Sequence, residues 1–309
     1  MMQDRAQALI LRPGALGDTL LLVPALDRLE EHTDVTVVAR QPGLSLLRPL
    51  AARCFDFEVG GWHGLFEGHL EEGFFELPNS PQRVVAFLRD TDRSFERNLV
   101  ALFPRSKVGV FPGVPPEGGC VHAARYLAEC LVEVGMEIDP ETCMHRARSA
   151  PLLSPGDTAG EEADIVLHPG SGGRHKNHSP AFWLELIKAF REAAWEMEWT
   201  RITLLLGPAE VPLREAFEGL SPQEKIRVVQ ETPSEALPSL LGHAGLYVGH
   251  DSGVTHLAAM LGIPTVALFR KTDPRVWAPL GPRVRVISKE PQDRSLVEAT
   301  MAAAKALLL

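Results

Sequence analysis

The stretch Leu246-Tyr247-Val248-Gly249-His250-Asp251-Ser252-Gly253-Val254-Thr255-His256-Leu257-Ala258-Ala259-Met260-Leu261-Gly262-Ile263-Pro264 decides the fold. It opens on an apolar run, breaks at a glycine, and sets Asp251 and Ser252 ahead of a helical pattern. Either side chain can accept a hydrogen bond from the free amides of a first helical turn. Leu257, Ala258 and Leu261 recur at helical spacing, and Gly262 followed by Pro264 supplies a stop. Thr265-Val266-Ala267-Leu268-Phe269 reads as the next buried strand. The result is a βαβ unit with a small polar loop at the carboxyl end of its first strand, where open α/β sheets bind ligands. The helix N-terminus there favours an anionic group. On local grounds alone, Asp251 and Ser252 need do no more than cap the helix.

The preceding sequence alternates in the same way. Helices are predicted over Ala181–Trp195, Val211–Leu220 and Ser234–Leu241, with strands at Thr203–Leu206 and Ile226–Val229 between them. Val284–Ile287 follows as a late strand and Leu296–Leu309 as a terminal helix. Arg146–Glu162, with Pro151, Pro155, Gly156 and Gly160, reads as a linker. Ahead of it the chain begins strand (Ala8–Leu11), glycine-bearing loop, helix (Thr19–Glu31, disturbed at Pro24) and strand (Val35–Ala39). From Gly60 to Pro116 the pattern loosens, with Trp62, His63, His69, Glu71 and Glu72 among glycines; Ala123–Val134 then closes the first half as a helix. Arg89, Arg93 and Arg97 are spaced to share one helix face, and Asp90-Thr91-Asp92 spells a DxD within the same charged helix. A solvated face is the simpler reading of both. The reading is therefore α/β, with two Rossmann-like domains at 1–150 and 151–309, mostly parallel sheets facing a central cleft, and a last helix able to pack back on the first domain.

A chain of 309 residues suits two domains, and a formal charge of -9 argues against general binding to nucleic acid. Cys54, Cys120, Cys130 and Cys143 form no CxxC pair, so reduced thiols in a cytosolic protein are expected. Met1–Arg5 runs into a strand pattern without a signal-peptide core, and no apolar run approaches the ~20 residues that span a bilayer.

Ile10-Leu11-Arg12-Pro13-Gly14-Ala15-Leu16-Gly17 and Val166-Leu167-His168-Pro169-Gly170-Ser171-Gly172-Gly173 share a plan: apolar strand, basic residue, Pro-Gly-x-x-Gly. Gly170-Ser171-Gly172-Gly173-Arg174-His175-Lys176 precedes a helix near Ser179-Pro180, and so offers backbone amides, a helix N-terminus and a lysine to a diphosphate. The GxxxxGK[ST] spacing of a P-loop is absent. His168, His175 and His178 invite a zinc site, but without cysteine ligands or tight spacing no metal is expected. His256 sits in the first turn of its helix, either facing the cleft or serving as a structural histidine.

Three of these motifs together resemble glycosyltransferase family 9, the ADP-heptose:lipopolysaccharide heptosyltransferases. Gly14-Ala15-Leu16-Gly17-Asp18 with Leu21–Leu26 resembles the family's opening motif, and His168-Pro169-Gly170-Ser171-Gly172 with Lys176 its phosphate-binding segment. Asp251-Ser252-Gly253-Val254-Thr255-His256-Leu257-Ala258 resembles its D-[ST]-G-x-x-H signature. Two departures stand out. Lys176-Asn177-His178-Ser179-Pro180 lacks the usual tryptophan and adds a residue, and the first half lacks an apolar-Asp-x-Gln/His segment.

The resemblance implies a GT-B fold and transfer of a heptose from a nucleotide-diphosphate sugar, with ADP-heptose the expected donor, by inversion and with no metal or cofactor. Asp18 would be the general base, with Gly14 and Gly17 at the acceptor. Gly170, Ser171, Gly172, Lys176, Glu231, Asp251, Ser252, Gly253, Val254 and His256 would hold the donor, Lys176 on its phosphates and Asp251 on its sugar hydroxyls. The acceptor would be lipopolysaccharide core or another glycan, free or lipid-linked. A cytoplasmic location with transient contact at the inner membrane is expected. A nucleotide-sugar epimerase of similar fold and a non-catalytic nucleotide-sugar binder are the competing readings. An NAD-dependent dehydrogenase is weaker, since neither half carries a full GxGxxG.

Overall fold

The computed structural model describes residues 5–59, 61–68, 80–156, 164–193, 201–207, 213–217, 220, 225–230, 232–288 and 293–308. The chain divides into two compact units, Met1–Arg146 and Ala147–Leu309.

The first unit is built on β1 (Ala6–Arg12), β2 (Thr33–Ala39), β3 (Arg53–Asp56), β4 (Arg83–Phe87) and β5 (Lys107–Phe111), in the order β3-β2-β1-β4-β5. Every pairing in it is parallel. Leu9, Ile10 and Leu11 in the central strand are fully buried, as expected where helices cover both faces of a parallel sheet. Phe57, Trp62, Leu65, Phe95 and Leu99 pack on β1, β2 and β4 to form a core cluster. The single helix predicted over Thr19–Glu31 is two, Leu16–Leu20 and Val23–Leu29, with Pro24 in the first turn of the second. A first-turn proline sacrifices no intrahelical hydrogen bond, so the chain breaks just before it.

The arginine face predicted over residues 89–97 does not form, because the helix there starts only at Ser94. Asp90 accepts hydrogen bonds from the amides of Phe95 and Glu96 at 3.2 and 2.9 Å, and Asp92 from Ser94 N at 3.2 Å. The two carboxylates of the DxD thus cap the helix from outside it, which satisfies its orphan donors. The helix Pro140–Ser149 also runs into the predicted linker. Its first turn is fixed by Asp139, which accepts from Thr142 N at 2.9 Å.

The second unit carries β6 (Asp164–His168), β7 (Arg201–Leu206), β8 (Ile226–Gln230), β9 (Ala244–His250), β10 (Thr265–Phe269) and β11 (Val284–Ser288), ordered β11-β10-β9-β6-β7-β8 and again all parallel. Counted from its own first strand, the first sheet runs 3-2-1-4-5 and the second 3-2-1-4-5-6, the doubly wound order of a Rossmann fold. The repeated Pro-Gly loops follow β1 and β6, the equivalent first strands. Phe182, Trp183, Leu186 and Phe190 of the helix Pro180–Glu192 share one core with Leu296, Ala304 and Leu307 of the terminal helix Asp293–Leu308. The last helix is thus part of the second unit's core.

The opening stretch folds as its caps dictate. Ser252, not Asp251, caps the helix Gly253–Met260, accepting from Thr255 N at 3.4 Å. Gly262 ends it at φ +80°, a conformation that suits glycine. Gly262 N donates to Ala259 O and Ile263 N to Ala258 O, the paired bonds of a Schellman stop. All four cysteines are free. Among the described residues no helix is long and apolar enough to cross a membrane.

Candidate active site

In each sheet the strand order reverses between two neighbours, β1 and β4 in the first and β6 and β9 in the second. Loops leaving such neighbours part in opposite directions and open a crevice beyond the strand ends. In the second unit those loops are the glycine-rich segment after His168 and the Asp251-Ser252 turn after His250, so adjacent strands bring together motifs far apart in sequence.

Lys176 Nζ donates to Asp251 Oδ2 at 2.7 Å, and Thr272 Oγ1 donates to the same oxygen at 2.7 Å. Because Ser252 does the capping, the Asp251 carboxylate is available for this pairing. Lys176 is 27 % exposed and Asp251 8 %, so the ammonium is the accessible partner. Gly253 and Val254 open the first turn of their helix, where amides lack intrahelical acceptors. The Ser171 hydroxyl lies 2.6 Å from Asn177 Oδ1 and 2.9 Å from Gly173 O, folding the loop on itself. A Cβ on Gly172 would meet nothing within 4 Å, which leaves space above the loop. Arg270, just beyond β10, donates to Asn177 O at 2.9 Å and ties the loop to a third strand end. One lysine, one arginine and a helix N-terminus thus concentrate positive potential around a small crevice, which suits a polyanionic ligand.

Below that crevice lie three buried histidines. His178 N donates to His250 Nε2 at 2.8 Å, the two rings lie 5.2 Å apart, and Ser252 Oγ is 3.5 Å from His168 Nδ1. His175, which with His168 and His178 invites a zinc reading in the sequence, is exposed and gives its carbonyl to Arg270. With His250 Nε2 engaged by an amide, that nitrogen has no lone pair for a cation. Among the described residues no group of three or more His, Cys, Asp or Glu side chains is arranged to hold a metal ion.

Burial pulls His168 down to about 4. His250 moves the same way, through burial and then His178 and His168, against the opposing carbonyls of Gly170 and Pro169. Each ring therefore protonates at a lower pH in the fold than in the unfolded chain, where imidazole titrates near ~6.5. For His168 the contribution to stability is complete above that value and is lost as pH falls from it toward 4, by about 1.4 kcal/mol per pH unit. Denaturant unfolding of His168→Gln is expected to depend less steeply on pH across this window than that of the native chain; equal slopes would contradict it.

In the first unit Asp18 lies at the third position of the helix Leu16–Leu20, and its Oδ2 accepts from Ala15 N at 3.2 Å. It closes its own helix start while its side chain stays 38 % exposed. A Cβ on Gly14 would come within 2.6 Å of Asp18 Cβ, so only glycine lets the loop lie this close. Gly17 belongs to the same turn and accepts from Leu21 N at 3.1 Å.

Of the residues singled out from sequence, Gly170, Ser171, Gly172, Lys176, Asp251, Ser252, Gly253 and Val254 gather at the switch point of the second sheet. His256 is buried inside its helix, and Glu231 lies outside the described residues. The sequence reading passed over Thr272, Arg270 and His250. The signal for the first two was their place just after the predicted strand Thr265–Phe269, next to the strand that delivers Asp251.

Two Rossmann-type sheets, each with polar loops at its switch point, form the architecture of the GT-B glycosyltransferases. Residues 114–306 match the family model described as Glycosyltransferase family 9 (heptosyltransferase), and the chain belongs to that family. The fold is similar over 100 % of this chain and 98 % of the other to a glycosyl transferase family 9 protein from Veillonella parvula, at 16 % identity and a TM-score of 0.71. It is also similar to the ADP-heptose lps heptosyltransferase II of Escherichia coli, at 19 % identity, TM-score 0.67, over 97 % and 99 % of the two chains. A Haemophilus influenzae protein named provisionally as a glycosyltransferase is 30 % identical over 122 residues, 38 % of this chain and 34 % of that protein. The match therefore spans about a third of that relative's length. Asp18 lies outside the residues matched to the family model.

Proposed function

We propose that this chain moves a heptose-like sugar from an ADP-linked donor to a glycan hydroxyl, with inversion and without a metal ion. The observation that carries the proposal is the Lys176–Asp251 pair at 2.7 Å, set beside the first-turn amides of Gly253 and Val254. The ammonium and amides suit a diphosphate; the carboxylate, an acceptor only, suits sugar hydroxyls. ADP-heptose as donor is supported by family membership and by the likeness in fold to the ADP-heptose lps heptosyltransferase II of Escherichia coli. The acceptor in this reading is lipopolysaccharide core or a related glycan, taken up at the inner face of the membrane.

In the reaction, the acceptor oxygen forms its bond to the anomeric carbon as its proton passes to Asp18. The bond from that carbon to the diphosphate breaks, and the electron pair leaves on ADP. A hydroxyl is a weak nucleophile and gains from a carboxylate within hydrogen-bond reach. Charge developing on the leaving diphosphate is met by Lys176 and the helix amides, which act as a metal otherwise would. A single displacement inverts the centre.

The test supplies ADP-heptose with and without heptose-deficient lipopolysaccharide and follows nucleotide release and the new linkage. Release that depends on the acceptor, with inverted stereochemistry, supports the proposal. An isomerised but intact sugar nucleotide would mean an epimerase, and tight binding without turnover a non-catalytic binder. Within this reading Thr272 holds Asp251 toward the sugar. Thr272→Val removes one charge-assisted hydrogen bond worth about 1.5 kcal/mol or more. It is expected to raise the KM for ADP-heptose about tenfold and to leave the affinity for ADP unchanged.

A further inference from the structure

Arg12, the last residue of β1, has a side chain only 4 % exposed. A buried guanidinium keeps its charge and is costly to desolvate, so it needs a reason to be there. Its Nε donates to the main-chain oxygen of Asp18 at 3.1 Å and its Nη1 to Phe87 O at 3.5 Å, linking the two strands at the switch point of the first sheet. The guanidinium lies over the Phe87 ring, 6.0 Å from its centroid. Gly113 makes room on another side, since a Cβ there would stand 2.3 Å from Nη1. Tyr126 faces it from the helix Ala123–Glu133, with its hydroxyl donating to Pro112 O at 3.1 Å. Burial lowers the Arg12 pKa, and Asp18 and then Tyr126 pull it back up. The last nitrogen, Nη2, is 3.9 Å from Asp18 Oδ1 and has no hydrogen-bond partner among the described residues.

We infer that Arg12 is the positioning residue of the Asp18 base: it anchors the Asp18 main chain and turns the carboxylate by charge, without a hydrogen bond to it. The division of work between the two carboxylate oxygens follows. Oδ2 is engaged by Ala15 N, whereas Oδ1 faces Nη2 beyond hydrogen-bond range. A hydrogen bond from arginine would occupy the lone pair that must receive the acceptor's proton. At 3.9 Å the cation orients the group and leaves that lone pair available. This inference rests on the reading of Asp18 as the base.

The experiment measures kcat and KM for ADP-heptose, with heptose-deficient lipopolysaccharide or water as acceptor, together with ADP affinity by calorimetry. The variants are Arg12→Met, Arg12→Lys, Gly113→Ala and Asp18→Asn. Misplacing a catalytic group by about 1 Å can cost ~10²-fold in rate. Arg12→Met is expected to lower kcat by about that factor, with the donor KM and ADP affinity within twofold of native. Arg12→Lys keeps the charge and is expected to recover at least a tenth of native kcat. Gly113→Ala crowds the guanidinium without changing its charge, and kcat is expected to fall while KM holds; it keeps the test decisive if Arg12→Met does not fold. Native kcat in Gly113→Ala, or in a folded Arg12→Met, overturns the inference, as does a loss shared equally by Arg12→Met and Arg12→Lys. If Asp18→Asn is inactive while Arg12→Met is not impaired, only the role of Arg12 falls. If Asp18→Asn turns over normally, the reading of Asp18 falls first.

Discussion

Asp18→Asn is expected to lower sugar transfer by ~10²–10⁴-fold, the range that general-base catalysis contributes, while ADP binding stays within twofold of native. The separation comes from the fold. Asp18 belongs to the first unit, and the groups assigned to the donor belong to the second. Asparagine retains an oxygen able to accept from Ala15 N, now held at 3.2 Å by Asp18 Oδ2, so the helix start survives the change. What is lost is the ability to take up a proton, together with the charge that faces Arg12. Single-turnover transfer, calorimetry with ADP and a thermal melt on the same preparation check the three parts. Retained transfer would remove Asp18 from the mechanism.

The second large effect divides an ion pair. Lys176→Ala is expected to weaken ADP binding by ~10–100-fold, since hydrogen bonds to charged groups contribute about 1.5–3 kcal/mol each. Asp251→Asn is expected to leave ADP binding unchanged or tighter, because it removes a negative charge 2.7 Å from the ammonium that meets the phosphates. The same variant should lose the preference for ADP-heptose over ADP, since the carboxylate serves the sugar. Asparagine can still accept from Thr272, and Lys176 has access to water, so neither partner is stranded in the interior. Equal losses of ADP affinity in both variants would mean that the pair is structural and the ligand binds elsewhere.

Legibility in the sequence followed the range of the forces involved. The helix Gly253–Met260 could be read with its cap and its stop because Ser252, Gly262 and Ile263 act on backbone groups a few residues away. The long helix Pro180–Glu192 was legible for the same reason, through Ser179 and its apolar stripe. β3 and β4 escaped because each is four or five residues long and carries arginine at its first position. Their identity as strands comes from pairing with β2 and β1. The arginine series at 89, 93 and 97 misled because helical spacing does not reveal that Asp90 and Asp92 start the helix later.

The chemistry divides in the same way. The motifs around Lys176 and Asp251 could be recognised, but their contact spans 75 residues and exists because β6 and β9 are neighbours. Thr272 reaches Asp251 through β10, the next strand in the same sheet. Arg12 read as one basic residue of a repeated loop. Its burial against Asp18, Phe87 and Gly113 depends on three strand ends meeting, which no local pattern encodes.

The most direct test of the central claim is calorimetric titration of ADP, UDP, GDP and NAD into the native protein and Lys176→Ala, with no metal added. Preferential binding of ADP, weakened at least tenfold in Lys176→Ala, is expected of a donor site built on Lys176 and the Gly253-Val254 amides. ADP binding that is indifferent to Lys176, or no binding of any of the four, would contradict it.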